Sequence, residues 1–405
     1  MKHARLAPLL ALATCVPQPD ARPVVRPGLE VAVSDSVHLL RGHRVGLVAN
    51  QATIDRQGRH GVELLRAAGI NLVALLSPEH GFRGSAAPGE HVASSVDTAT
   101  GLPIYSLYSK TYAPTDSMLR GIDLLVVDLP DVGARYFTYL STLLEVMKSA
   151  APRGLRVMVL DRPDPIGGTL VQGNVLDPAH RSFVGPLAVP MRHGMTLGEL
   201  GRLGNDELGI RGELVVIPAT GWRRSQDQLA TGLPFVAPSR NLTDLEGLFH
   251  YPGTCLFEGT ALSVGRGTTH PFHQVGAPWL DTAGVLASLA RTPVPGMRFE
   301  AVRFRPHQPD DGKWADTELA GIRFVVTDRA QYDPTAAAVR LLTAVWERHP
   351  TEMGFVPAQF DRLAGGSELR LAVEGGESAD SILERWRAPL ERFRERRAGY
   401  LLYPE

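Results

Sequence analysis

Ile122-Asp123-Leu124-Leu125-Val126-Val127-Asp128-Leu129 runs directly into Pro130-Asp131-Val132-Gly133-Ala134-Arg135-Tyr136. The first half is nearly continuously apolar, the pattern of a strand covered on both faces of a parallel sheet. The second half opens on proline and is dense in charge and glycine, the composition of a loop that leaves such a strand. The same couplet recurs. Asn71–Ser77 (NLVALLS) precedes Pro78-Glu79-His80-Gly81-Phe82-Arg83-Gly84, and Leu155–Asp161 (LRVMVLD) precedes Arg162-Pro163-Asp164-Pro165-Ile166-Gly167-Gly168. Further strands are expected at 44–50, 102–108 and 213–219, alternating with helices at Gly61–Ala68, Tyr136–Ala150 and Leu197–Leu208.

Strands alternating with helices predict an α/β fold, a Rossmann-like parallel sheet with helices on both faces, over about residues 30–248. Beyond it, MRFEAVRFRP (297–306) and GIRFVVTD (321–328) read as strands, and Tyr332–Arg348 and Ile382–Arg397 as helices. They make a smaller α+β domain over 249–405, whose opening stretch, 253–281, has no clear periodicity. A chain of 405 residues accommodates two domains and hence a cleft between them.

Composition narrows the function. Forty-two basic against 43 acidic side chains leave a net charge of −1, with nothing to attract nucleic acid or an acidic membrane. The first strand ends in Ala49-Asn50-Gln51-Ala52, which lacks the glycines a pyrophosphate needs, and no G-x-x-x-x-G-K-S/T is present. No nucleotide or other cofactor is therefore expected. No metal is expected either, because no H-E-x-x-H or paired histidines on one helix stand out. A G-x-S-x-G nucleophile elbow is missing too. The first fifteen residues, MKHARLAPLLALATC, have the parts of an export signal: Lys2 and Arg5, then an apolar run to Thr14. Cleavage after Ala13 and lipidation of Cys15 are both open, and either exports the chain to the periplasm or an outer surface. Residues 1–14 are thus read as signal and the proline-rich 15–29 as an extended linker. Cys255 is the other cysteine, expected in a buried strand as a small hydrophobe.

In such sheets ligands bind beyond the carboxyl ends of the strands. Glu79 is the first choice for acid–base chemistry because its loop can hold it partly desolvated; capping a helix or pairing with Arg83 is the alternative. Asp128, Asp131 and Asp161 end or follow strands and can face the same crevice, or simply bind their own loops. Glu258, from the second domain, can close the site from the other side. His80, His193 and His270 stand in polar, glycine-rich surroundings; His193 precedes a helix that Thr196 and Glu199 can cap reciprocally. Arg83, Arg135, Arg162, Arg240 and Arg266 lie in loops, available for an anionic ligand or for neighbouring carboxylates. Tyr136, Tyr139 and Trp279 offer a platform for a sugar ring, though Tyr139 equally suits a helix core.

Taken together, RVGLVANQATID (44–55), LLSPEHGFRG (75–84), DLLVVDLPDVGARYFTYLSTL (123–143), VLDRPDPIGG (159–168), VQGNVLDP (171–178), PMRHGMTLGEL (190–200), YPGTCLFEGTALSVGRGT (251–268) and PFHQVGAPWLD (271–281) resemble the exo-β-N-acetylmuramidase (NamZ-like) family, formerly a domain of unknown function. The likeness extends to FDRLAGGSELR (360–370) and AGYLLYPE (398–405). It implies a catalytic Rossmann-like domain, an auxiliary domain, a cleft between them, and exo-hydrolysis of peptidoglycan-derived saccharides after a terminal N-acetylmuramic acid. Two carboxyl groups commonly do such work. Glu79, helped by His80, is then the acid, with Asp131, Asp128 or Glu258 as the second carboxylate. The lactyl carboxylate that distinguishes muramic acid calls for a guanidinium, Arg135 or Arg266. Arg83, Tyr136, Tyr139, Asp161, His193 and Asn241 complete the expected contacts. The chain departs from the family at Arg240, where relatives commonly carry proline in Pro-Ser-Pro-Asn-Leu. The rival readings are a sugar-binding protein without catalysis, which needs no proton donor, and an amidase or esterase, which needs a nucleophile.

Overall fold

Successive residues of strand β5 (Leu124–Asp128) point to opposite sides: Leu125 and Val127 enter one apolar core, Leu124 and Val126 another, and all four are fully buried. This is the reason the strand sequence is apolar without a break. The computed structural model describes residues 24–405, so the expected signal, Cys15 and most of the expected linker lie outside the described residues. The linker's last residues are not extended linker. Val25 and Leu29 are buried and a helix begins at Gly28, which corrects the expected start of the fold.

The strands are β1 (Arg44–Ala49), β2 (Asn71–Ser77), β3 (Ser95–Val96), β4 (Pro103–Ser106), β5, β6 (Arg156–Leu160), β7 (Gln172–Val175), β8 (Pro190–Arg192), β9 (Leu214–Ile217), β10 (Gln274–Ala277), β11 (Met297–Phe304) and β12 (Leu319–Val326). The helices are α1 (Gly28–Ser34), α2 (Gly61–Ala67), α3 (Asp116–Leu119), α4 (Tyr139–Ala150), α5 (Leu197–Glu207), α6 (Gln228–Thr231), α7 (Leu245–Thr254), α8 (Thr282–Leu289), α9 (Pro334–Arg348), α10 (Pro357–Ala364), α11 (Glu368–Glu374) and α12 (Ala379–Ala398). Seven strands form the main sheet in the order β3-β4-β2-β1-β5-β6-β9, parallel except for β3 at the edge. The apolar residues of α1 and α2 cover one face and those of α4 and α5 the other. Helix α5 starts at the Thr196–Glu199 capping box that its sequence predicts.

The second part is built on the antiparallel sheet β10-β12-β11. Its core is continuous with that of α4 and α5. The boundary expected at 248/249 falls inside α7, so the two parts share a helix. Cys255 is buried as expected, but in a 3-10 turn, Cys255–Gly259, rather than a strand. Among the described residues, no helix is long and apolar enough to cross a membrane.

Candidate active site

Loops leaving β2, β4 and β5 meet the turn after α7 and one side of α10 around an open cavity of about 300 Å³. The first loop supplies Glu79 and His80. Pro78 forces the chain to turn, and His80 takes a left-handed φ of 69° that L-residues rarely adopt. Glu79 is buried, with its two carboxylate oxygens separately engaged. Oε1 accepts the Gly89 N–H at 2.8 Å and Oε2 accepts the Thr138 hydroxyl at 2.6 Å. Burial pulls the His80 imidazole below its usual range, against the opposing field of Glu79. Its Nδ1 lies 3.1 Å from the Ala86 carbonyl, which fixes the ring.

The opposite wall comes from the second part of the molecule. Glu258 is paired with Arg266, whose Nε lies 3.0 Å from Oε1 and whose Nη1 reaches Asp310 at 3.0 Å. Burial opposes the Arg266 charge, but Glu258 and Asp310 outweigh it and hold the guanidinium above its ordinary range. Asn241 donates to the other oxygen of Asp310 at 2.7 Å, extending the network. Beneath it, Lys313 donates to the carbonyls of Glu258, Thr260 and Leu262 and so fixes the turn that presents Glu258. Tyr136, Tyr108, Tyr251 and Phe272 give the cavity aromatic surface. Burial pushes the Tyr251 hydroxyl and the Cys255 thiol far above their usual ranges, so neither supplies an anionic nucleophile at neutral pH.

Of the residues singled out from the sequence, Glu79, His80, Tyr136, Asn241, Glu258 and Arg266 line this one cavity. The other expected residues do not. Arg135 is fully buried outside the cavity lining, with Nη1 and Nη2 donating to the carbonyls of Asn174, Val189 and Leu363 and its buried Nε without a partner, so it presents no donor to a ligand in the cavity. Tyr139 is helix core, its hydroxyl donating to Pro238 O and accepting from Asn50. Asp128 is locked to Arg162. Asp161 accepts from Thr196, Gly198 and Tyr403 and serves the start of α5. Asp131 and His193 pair with each other at 3.3 Å, both buried and outside the cavity. Arg83 is 70% exposed and paired with Asp97. Arg240 is also exposed, while its neighbours Ser239 and Asn241 line the cavity, so the departure from the family pattern lies on the outside.

Sequence reading missed Thr138, Tyr108, Asp310, Gln359 and Arg362. Thr138 lies within the DVGARYFTY stretch; the others carry no local signal, since only the folded chain brings Tyr108, Gln359 and Arg362 to the cavity and Asp310 to Arg266 and Asn241. Arg362 on α10 is exposed, and among the described residues its guanidinium has no ion pair or side-chain hydrogen bond. Potential metal donors also occur: Glu246, His250 and His273 cluster at the far end of α7, away from this cavity.

Two family descriptions cover almost the whole described chain: exo-beta-N-acetylmuramidase NamZ, N-terminal, over residues 45–246, and its C-terminal counterpart over 249–403. Peptidoglycan beta-N-acetylmuramidase NamZ of Bacillus subtilis (strain 168) is 38% identical over 388 residues, 95% of this chain and 93% of that protein. Two crystal structures of DUF1343 family proteins from Bacteroides fragilis NCTC 9343 are each 31% identical, covering 95% of this chain and all of theirs, with TM-scores of 0.87 and 0.76.

Proposed function

The chain belongs to the exo-β-N-acetylmuramidase NamZ family, and from that premise we infer that it is a glycoside hydrolase releasing N-acetylmuramic acid from the non-reducing ends of peptidoglycan fragments. One observation carries the chemistry: Glu79 and Glu258, from the two parts of the molecule, line the same aromatic-walled cavity. Glycosidic cleavage asks for a proton donor at the leaving oxygen and a carboxylate that supports the cationic sugar or activates water. Glu258, ion-paired with Arg266, enters as the carboxylate, and Glu79 is the proton donor, with His80 beside it. Arg362 is the guanidinium free to take the lactyl carboxylate, in place of the buried Arg135 and the already paired Arg266.

The test is hydrolysis of a chromogenic N-acetylmuramic acid β-glycoside beside its N-acetylglucosamine counterpart. Release from the first and little from the second is expected, and no release from either overturns the reading in favour of a binding protein. Arg362→Ala should raise KM for the muramic substrate about tenfold or more, without a matching change for the glucosamine substrate. Equal changes for both would remove Arg362 from lactyl recognition.

Export is the location that suits such a substrate and the Lys2, Arg5 and apolar-run pattern of the first fifteen residues. Cell fractionation of the full chain beside its Cys15→Ala variant distinguishes a lipid-anchored form, which the variant releases, from a cleaved soluble one, which it leaves unchanged.

A further inference from the structure

Helix α7 begins with three donors. Asp244 caps it, accepting the Gly247 N–H at 2.9 Å, and Glu246 and His250 stand four residues apart on one helix face. The chain returns to this point at His273, whose Nε2 lies 2.9 Å from Asp244 Oδ1. The His250 and His273 rings meet edge to face with centroids 5.4 Å apart. One ligand atom each from Glu246, His250 and His273 falls within 4.8 Å of the other two. The cluster borders an open pocket of about 490 Å³ lined in part by Asp244, Glu246, His270 and His273.

His250 decides how this cluster is read. The residue is fully buried, and its Nδ1 is engaged by the Tyr332 hydroxyl at 2.8 Å. Its Nε2 has no hydrogen-bond partner and faces the Glu246 carboxylate across 3.8 Å. Buried nitrogens are almost always satisfied, and an orphan of this kind points to a missing water or ion. The gap exceeds a hydrogen bond, yet it is close to the roughly 3.4 Å that separates two ligands of one tetrahedral ion at bond lengths of about 2.1 Å. Tyr332 on the opposite nitrogen is the outer partner that a metal-bound histidine ordinarily has.

We propose that Glu246, His250 and His273 bind a divalent transition-metal ion, zinc by preference for this mixed imidazole and carboxylate set. His273 Nε2 exchanges its bond to Asp244 for the metal, which leaves the Asp244 carboxylate beside the remaining position on the pocket side. Two carboxylates then balance the charge of the ion. The one arginine lining the pocket, Arg323, is turned onto Gln274, donating to its Oε1 at 2.7 Å. The position gives the ion a task. Helix α7 runs on into the turn that carries Glu258, and the segment that returns to His273 carries Arg266. A metal at this point ties together the far ends of the two segments whose near ends form the Glu258–Arg266 pair.

Zinc binding is measured without any saccharide, so it is decided separately from the hydrolytic reading. Tag-free full chain, stripped with chelator, is titrated calorimetrically with a zinc salt, and with Co2+ by visible absorption. The expected result is one equivalent bound with Kd of about 1 µM or tighter, tetrahedral cobalt bands, and a zinc-dependent rise in Tm. His273→Gln and Glu246→Gln change more accessible side chains than His250 and should each weaken binding by about 100-fold. The proposal fails if the wild-type chain shows no saturable equivalent, or if both variants bind zinc as it does. His250→Gln adds a third arm if it folds, and the first two decide the matter without it.

Discussion

At Glu79 the two carboxylate oxygens are held by donors from different loops, the Gly89 amide and the Thr138 hydroxyl. Glu79→Gln preserves shape and size but removes the transferable proton. It should lower kcat by about 100-fold or more, with circular dichroism and Tm nearly unchanged; an active glutamine variant removes Glu79 from the mechanism. Asp164 gives a pH signature of its own. Burial, the largest influence, lifts its carboxyl to about 7, and its Oδ2 has no hydrogen-bond partner. The folded chain therefore holds this proton where the unfolded chain has released it. Stability from this group is full in acid and lost as pH rises from about 4 to about 7. Asp164→Asn should flatten that decline, measured as Tm against pH, and an unchanged slope would mean that the buried carboxyl is not the source. Glu79, His80 and Arg266 are legible as site residues because chemistry-bearing types follow strands or lie in glycine-rich loops. Arg135 has the same local signature and a different fate, since whether a loop guanidinium faces water or a nest of carbonyls is set by segments as distant as Leu363.

Among the elements, the parallel strands are the most legible, because each is buried on both faces and therefore apolar throughout. Helix α4 starts at Tyr139, three residues later than expected, because Ala134 O takes the Phe137 amide in a turn first. The β7–β8 ribbon and helices α10 and α11 leave weaker patterns and are found only in the fold, and with α10 goes Arg362. Strand-end aspartates such as Asp128 and Asp161 look catalytic in sequence, but hold loops and helix starts together in the structure. Helix contact is closest at Gly253, where a methyl group would stand 2.0 Å from the carbonyl oxygen of Pro334 at the start of α9. Gly253→Ala should cost about 1–3 kcal/mol by forcing α7 and α9 apart, read as a lower denaturant midpoint. No change in midpoint would mean that the crossing relaxes freely.

On the scale of the whole molecule, the last residues return to the first part of the fold. Tyr403 donates its hydroxyl to Asp161 and accepts the Ala219 amide, Leu402 N–H reaches Glu199, and Arg224 N–H reaches Pro404, so the last residues are bonded to the main sheet and α5. Tyr403→Phe should destabilise by about 1–3 kcal/mol, because it leaves a buried amide and a buried carboxyl each short of a partner. The loss should lower one shared calorimetric transition, whereas two resolved transitions would show that the halves melt independently. The two-part layout is legible from strand spacing, but the shared core is not, since nothing in a linear pattern says that α7 belongs to both halves. Arg135 adds a mechanical consequence to this arrangement. Its guanidinium donates to Val189, just before β8, and to Leu363 on α10 at once, so prising the two apart would leave a buried cation short of an acceptor. Leu363 also lines the cavity, so a sugar arriving there meets a wall that this clasp holds in place.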